Sequence, residues 1–516
     1  MKTSSISHRV GRLGSSASLR MIREDQLAAG IITVFAISML VLGSSLNLWI
    51  DELYTLHSTA SGPLDSFKAA ITFEQQPPLY FMALSAWRSI SMSDVFARCF
   101  SIACAVATLG ILYRFARLHF SSFRPAIFLA LVAMNPFFIW TALEIRTYAP
   151  ILTETAIIAT SFYDGFFMAR LNRRAIYVFA LTSVAGLYTQ YYMGFIVVGC
   201  ALSVLILKRD RIASLVIAIA PFLVACIPAG AVALWQAHQI DHASVREVAN
   251  VKGLIATVQT FLFPRDWAER EFDVGAMPKI AYTIFVASCA IRPIQELKRF
   301  KPSLEARAFI VIATTITVLF LALVLLHTEI YFPRHVAALY VPLVLAAFAF
   351  IAPICRRSPS YKWSLISGYV LLAVISLIFV YRPLAKHGDW QRVGKYLEQH
   401  TAAGDVVDVF DAEMAIAVGH YYRGPAAVEP IPVAPFFDHW DIGPYKITSL
   451  GAVRQAFDRV PPSGRRWLVI NPYPCPQVET VEGCRNVMRY VLSTYHITSE
   501  RSFYQTGVLL LSPRRS

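Results

Sequence analysis

The chain has 516 residues, of which 56% are hydrophobic and only 16% charged, against roughly 25% charged in an ordinary soluble domain. With a mean hydropathy of +0.51, it cannot cover a soluble surface with polar groups, which excludes a cytosolic enzyme, a nucleic-acid-binding protein and a disordered chain. The net charge of +14 then reads as the Lys/Arg excess of cytoplasmic loops rather than as a nucleic-acid footprint.

Residues 1–26 are basic and Ser-rich and form a cytoplasmic N-tail. Eleven apolar runs follow, at about 27–49, 95–116, 124–142, 148–169, 175–188, 191–207, 212–235, 276–291, 307–327, 335–354 and 361–381. They predict an α-helical polytopic membrane protein with about 11 transmembrane helices, since a span needs roughly 20 apolar residues. A cleaved signal peptide ending near Gly43-Ser44-Ser45 is the rival reading of the first run, which is longer than a usual signal core. The stretch 77–92 is interrupted by Arg88 and entered through Pro77-Pro78, so it reads as re-entrant or interfacial. With the N-terminus inside, the cytoplasmic segments hold 22 Lys and Arg and the outer loops nine, the positive-inside pattern. Counting 77–92 as a span would put Arg114, Arg117 and Arg124 outside. The transmembrane domain is thus 27–385, with outer loops 50–94 and 236–275.

Residues 386–516 change character and lie outside. Asp389 to His400 places Trp390, Val393, Tyr396 and Leu397 on one helical face. Val406–Phe410, Trp467–Ile470 and Val508–Leu511 read as buried strands, so the tail is a small C-terminal α/β domain. Cys475 and Cys484 would meet an oxidising compartment there and are expected to bond. No phosphate-binding glycine loop is present, which speaks against an ATP-driven pump.

Candidate chemistry gathers on the outer side. Asp51-Glu52 follows the first span. It is either a solvated acidic pair at a helix end or a general base with a partner that orients it. Glu144-Ile145-Arg146-Thr147-Tyr148 fills a very short loop. Glu144 and Arg146 either pair with each other or leave Arg146 to grip a phosphate, with Tyr148 donating a hydrogen bond. Glu329–His335 contains Tyr331 and Arg334. A lone outer Arg suggests an anionic partner, with snorkelling as the alternative. Tyr54, Tyr80 and Tyr191 join the substrate-facing set, although interfacial tyrosines also occur as plain anchors.

These segments, in this order, resemble the dolichyl-phosphate-mannose protein mannosyltransferase and aminoarabinose transferase superfamily, membrane glycosyltransferases of the C-type fold (glycosyltransferase family 39-like). The likeness rests on the Asp51-Glu52 pair, the Pro77-Pro78-Leu79-Tyr80 segment, Glu144-x-Arg146-x-Tyr148, an Arg334 loop before a late span, and Asp389-Trp390 opening an outer tail. Gln76 stands where the family has His, and Gln does not titrate. The resemblance implies inverting transfer of a sugar from a polyprenyl-phosphate donor to a lipid, glycan or protein acceptor, in the inner membrane of a bacterium with a periplasmic active site. It gives Asp51 the role of base and Glu52 that of its partner, with Arg146, Tyr148, Arg334 and Tyr331 on the donor phosphate and Glu144, Tyr54, Tyr80 and Tyr191 around the substrates. No cofactor is demanded; Asp51, Glu52 and Glu144 offer oxygen ligands to a divalent cation as an open option. Two other readings remain: a transporter or flippase for a lipid-linked sugar, which predicts charges at mid-membrane depth, and a non-catalytic subunit of an envelope polysaccharide complex.

Overall fold

The computed structural model describes residues 4–120, 123–239, 250–264, 276–296, 301–326, 333–439, 441, 443–461, 463–475 and 482–514. Tyr331 and parts of the predicted outer loop 236–275 lie outside the described residues. The chain divides into two compact units. One comprises Met1–Gly43, Val95–Ala229 and Glu247–Val380; the other comprises Ser44–Asp94, Gly230–Arg246 and Tyr381–Ser516.

Helices occupy all eleven apolar runs. Among the described residues, six are long and apolar enough to cross a membrane: Met21–Ser45, Asp94–His119, Arg209–His238, Leu304–Leu325, Ala337–Arg357 and Pro359–Tyr381. The run at 124–142 is a bent pair, Pro125–Ala133 and Pro136–Leu143, turned by 63°. The break has a local cause. Asn135 Oδ1 accepts from the Phe138 N–H at 3.1 Å, and Pro136 supplies a fixed φ with no N–H to satisfy, so a new helix starts there. Arg173–Thr189 and Tyr191–Leu207 are shorter; 17 residues reach about 26 Å, less than a hydrocarbon core of about 30 Å. Among the described residues, length and composition therefore support six spans, or seven if the bent pair is one, of the eleven expected.

The first unit is built around helix Tyr148–Phe166, where Ile151, Leu152, Ala156, Ile158, Ala159 and Phe162 are all fully buried. Helix Arg173–Thr189 packs closely on it. A Cβ at Gly165 would meet Ile176 Cγ1 at 2.9 Å, so only glycine allows that approach. Polar pins tie helix ends together: His119 Nε2 meets Asp164 Oδ1 at 2.8 Å, and the Tyr163 hydroxyl donates to Glu305 Oε1 at 2.9 Å.

The second unit holds a five-stranded sheet of β1 (Val406–Phe410), β2 (Ala427–Pro430), β3 (Arg466–Ile470), β4 (Tyr495–Phe503) and β5 (Thr506–Pro513). The order is β2-β1-β3-β5-β4. β1 pairs in parallel with β2 and β3, while β5 runs antiparallel to both β3 and β4. Every residue of β1 and β3 is buried, as expected of parallel strands covered on both faces. On one face Phe410, Leu468, Ile470, Leu509 and Leu511 pack with Val453, Phe457, Val487 and Val491 from helices Leu450–Asp458 and Glu482–Thr494. The predicted strands and the helix at Trp390–His400 are all present. β2, β4 and three further helices were not expected. Cys475 and Cys484 are disulfide-bonded, with Cα atoms 5.8 Å apart.

Three short helices from the first loop belong to the same unit: Ile50–Ser58, Pro63–Thr72 and Leu79–Arg88. The last covers about 15 Å, half the thickness of a hydrocarbon core. Arg88 is buried because its guanidinium donates to the Leu56 carbonyl and to Thr59 Oγ1.

Candidate active site

The predicted site residues fall into two clusters, one in each unit. In the second unit, helix Ile50–Ser58 carries Asp51, Glu52 and Tyr54. Glu52 is fully buried, and its Oε1 lies 3.0 Å from Lys386 Nζ, itself 5% exposed. Its Oε2 accepts from the Trp49 N–H at 3.3 Å, closing the first turn. The segment around Lys386 is fixed in turn. Asn47 Oδ1 accepts from the Lys386 N–H at 3.0 Å, and Asn47 Nδ2 donates to the Lys386 carbonyl at 3.1 Å. The Trp49 ring stacks on His387 at 4.3 Å. Glu52 therefore acts as the anchor of this helix, with an ammonium on the oxygen a metal ion would use. Asp51, its neighbour, is partly exposed.

Tyr54 is buried, and its hydroxyl donates to Glu413 Oε1. Around this bond Trp49, Ile50, Tyr54 and Phe73 form an apolar cluster against Met414, Ile416 and Phe437. The Phe73 and Phe437 rings meet Tyr54 edge-on at 5.1 and 5.9 Å. Burial pushes the Tyr54 hydroxyl well above the usual tyrosine range, and the neighbouring Glu413 adds to it. Burial likewise pushes Glu413 up to about 7; the Tyr54 hydrogen bond opposes this, while Asp411 and Asp51 reinforce it. Glu413 escaped the sequence reading. The available signal was its place three residues beyond the end of the buried strand Val406–Phe410, at the carboxyl edge of a parallel strand. Tyr80 is also buried here, edge-on to Phe81 at 5.1 Å.

The first unit brings together Glu144, Arg146, Tyr148, Tyr191 and Arg334. Glu144 follows helix Pro136–Leu143 and is 1% exposed. Its carbonyl accepts from Ser101 Oγ at 2.6 Å, which sets the turn into helix Tyr148–Phe166. The Tyr148 ring stacks on Trp140 at 4.6 Å. Arg146 and Arg334 both act on His335, the residue before Val336 and helix Ala337–Arg357. The cluster carries permanent positive charge on the two guanidinium groups. Tyr192, next to Tyr191, packs on the His335 ring at 5.6 Å. Arg146, buried, and Arg334, partly exposed, beside the His335 ring form a site suited to an anion with several oxygens.

The same unit contains an apolar cavity of about 330 Å³ whose wall includes Phe261, Phe285, Tyr340, Phe348 and Tyr369, with Lys362 among its few polar groups. No group of three or more potential metal-ligating side chains occurs among the described residues.

Neither a family model nor a curated protein matches the chain. Solved structures do. ArnT from Cupriavidus metallidurans bound to undecaprenyl phosphate aligns with a TM-score of 0.50 at 12% identity, over 93% of this chain and 98% of that one. The chain has the C-type glycosyltransferase fold. The apo state of the same protein gives a TM-score of 0.46 at 10% identity, over 94% and 98%. The arabinofuranosyltransferase AftD from mycobacteria gives 0.40 at 15% identity, over 94% of this chain and 41% of that one.

Proposed function

We propose that the chain is an inverting glycosyltransferase of the bacterial inner membrane. It moves a sugar from a polyprenyl-phosphate donor to a hydroxyl of an envelope glycan, lipid A or protein on the periplasmic side. The observation that carries this reading is the fold shared with ArnT over almost the whole chain, in a structure where that protein holds undecaprenyl phosphate. The order of the site motifs agrees with it. The Cys475–Cys484 disulfide suits a C-terminal domain in an oxidising compartment, and the apolar cavity lined by Phe261 and Tyr340 suits an isoprenoid chain.

In the transfer, the acceptor oxygen forms a bond to the anomeric carbon while the bond from that carbon to the phosphate oxygen breaks. The electron pair leaves with the polyprenyl phosphate, the acceptor proton passes to Asp51, and the anomeric configuration inverts. Charge builds on the departing phosphate and, as in glycoside hydrolysis, on an oxocarbenium-like ring. Arg146 and Arg334, with Tyr148 and Tyr331, neutralise the phosphate. Phosphate leaves readily, so no general acid is required. Glu52, held by Lys386, orients the helix that presents Asp51.

The test is label transfer from radiolabelled undecaprenyl-phosphate sugars into an envelope extract, by membranes carrying wild-type protein or Asp51→Asn. Transfer by wild type with loss of at least a hundredfold in the variant is expected. Near-equal transfer removes Asp51 from the mechanism.

A further inference from the structure

The sheet in the second unit has a topological switch point. From β1 the chain moves to β2 on one side and later to β3 on the other. The crevice at the carboxyl end of the strand between such diverging connections is where open α/β sheets hold their ligands. Here the chain leaves β1 through Asp411, Ala412 and Glu413. What Glu413 meets is the Tyr54 hydroxyl, 359 residues away in sequence. The contact is enclosed by Phe73, Phe437, Met414 and Ile416. The helix that begins at Ile50 thus sits, through Tyr54, at the sheet's ligand edge.

We propose that Glu413 is a positioning residue of the transfer reaction, holding the helix that bears Asp51 through the Tyr54 hydroxyl and making the α/β domain a working part of the catalytic unit. The proposal rests on the reading of Asp51 as base. Asp51 is one turn before Tyr54 on the helix, and a hydrogen bond to a residue three positions away fixes the rotation of that face. The titratable groups around Glu413 are Tyr54 and Asp51 on the helix, Asp411 on its own loop, and Tyr445 facing Glu413 and Asp411. On the opposite flank of the helix, Glu52 engages Lys386. Glu413 changes charge near neutral pH, because burial lifts it to about 7.

Three variants test this in the transfer assay with undecaprenyl-phosphate sugars, as kcat and donor KM. Glu413→Gln keeps an oxygen that accepts from Tyr54 but removes the charge; Glu413→Ala removes both; Tyr54→Phe removes the donor. Glu413→Ala and Tyr54→Phe are expected to lower kcat at least tenfold with donor KM within twofold, and the double variant to be no worse than either single. Glu413→Gln is expected to keep most of the rate, since its amide oxygen still accepts from Tyr54. Rescue by Gln but not by Ala, with kcat rather than KM affected, marks a positioning role. Wild-type rates in both Glu413→Ala and Tyr54→Phe overturn the proposal while Asp51→Asn remains inactive. Full activity of Asp51→Asn overturns the base assignment as well.

Discussion

The buried Glu52–Lys386 pair is open to a quantitative test. Both charges are removed from water, with side-chain exposures of 0% and 5% and a separation of 3.0 Å. A pair so buried gains little over apolar residues of similar size, yet removing one partner strands the other and costs about 3–5 kcal/mol. Lys386→Met keeps the aliphatic stem and deletes only the ammonium. It should therefore cost about 3–5 kcal/mol, and Glu52→Gln a similar amount. The double variant should recover most of the loss, since no charge is then stranded. For a cooperative unit of this size about 2–4 °C of melting temperature corresponds to 1 kcal/mol, so each single variant should melt roughly 6–20 °C below wild type. Thermal unfolding of the detergent-purified wild type, both singles and the double supplies the four corners of a double-mutant cycle. The Lys386→Met loss should also shrink at pH 5, where the stranded carboxylate can take up a proton; a loss of packing would not. A Lys386→Met melting temperature within about 2–4 °C of wild type, or additive losses in the double variant, would refute the account of how the Asp51 helix is held.

Three other outcomes are expected. Denatured, unreduced protein should show the six free thiols of Cys99, Cys104, Cys200, Cys226, Cys289 and Cys355, rising to eight on reduction; Cys475→Ser should cost roughly 2–3 kcal/mol from the short loop released, and eight thiols without reductant would disprove the bond. Burial lifts Asp408 to about 7 against the pull of Arg466, 3.4 Å away. A folded-state value above the unfolded one stabilises fully below about pH 4 and loses that contribution as pH rises towards 7. The chain should therefore melt higher at pH 5 than at pH 8, with a smaller difference in Asp408→Asn; a melting temperature that rises over this interval contradicts it. Finally, Arg146→Ala and Arg334→Ala should each lower kcat/KM for transfer about 10²–10³-fold, the scale of one lost transition-state donor, and initial rates within fivefold of wild type would exclude that role.

The sequence alone revealed what local chemistry encodes. β1 and β3 are apolar apart from the paired Asp408 and Arg466 because both faces are covered, so their runs read directly as buried strands. β4, Tyr-His-Ile-Thr-Ser-Glu-Arg-Ser-Phe, is an edge strand with most residues exposed, and nothing in its pattern separates it from a polar loop. β2 is four residues long and ends in Pro430, as an edge allows and a central strand does not. Helix Tyr148–Phe166 fails a hydropathy test although most of its residues are buried. Surrounded by other helices, it can carry Thr153, Glu154, Tyr163 and Asp164, each served by a neighbour. Thr189 Oγ1, for example, donates to Glu154 Oε1 at 2.8 Å. Hydropathy measures exposure to lipid and misses burial against protein.

The candidate site divides along the same line. Asp51, Arg146 and Arg334 stand out in the sequence as candidates because each breaks the expectation of its place: carboxylates directly after a span, and arginines against the positive-inside trend. Lys386 and Glu413 were not, because their roles depend on partners 334 and 359 positions away. Alone in sequence, one is a snorkelling lysine after the last span and the other a surface acid in a soluble tail. Only the fold brings each against the Asp51 helix, one on Glu52 and one on Tyr54. A single turn bearing an acid at position 51 is thereby fixed at 52 by a buried ion pair and at 54 by a hydrogen bond, both supplied by chain beyond the last span. A nine-residue helix is too short to hold one orientation by its own stability, so these two partners supply what its length does not.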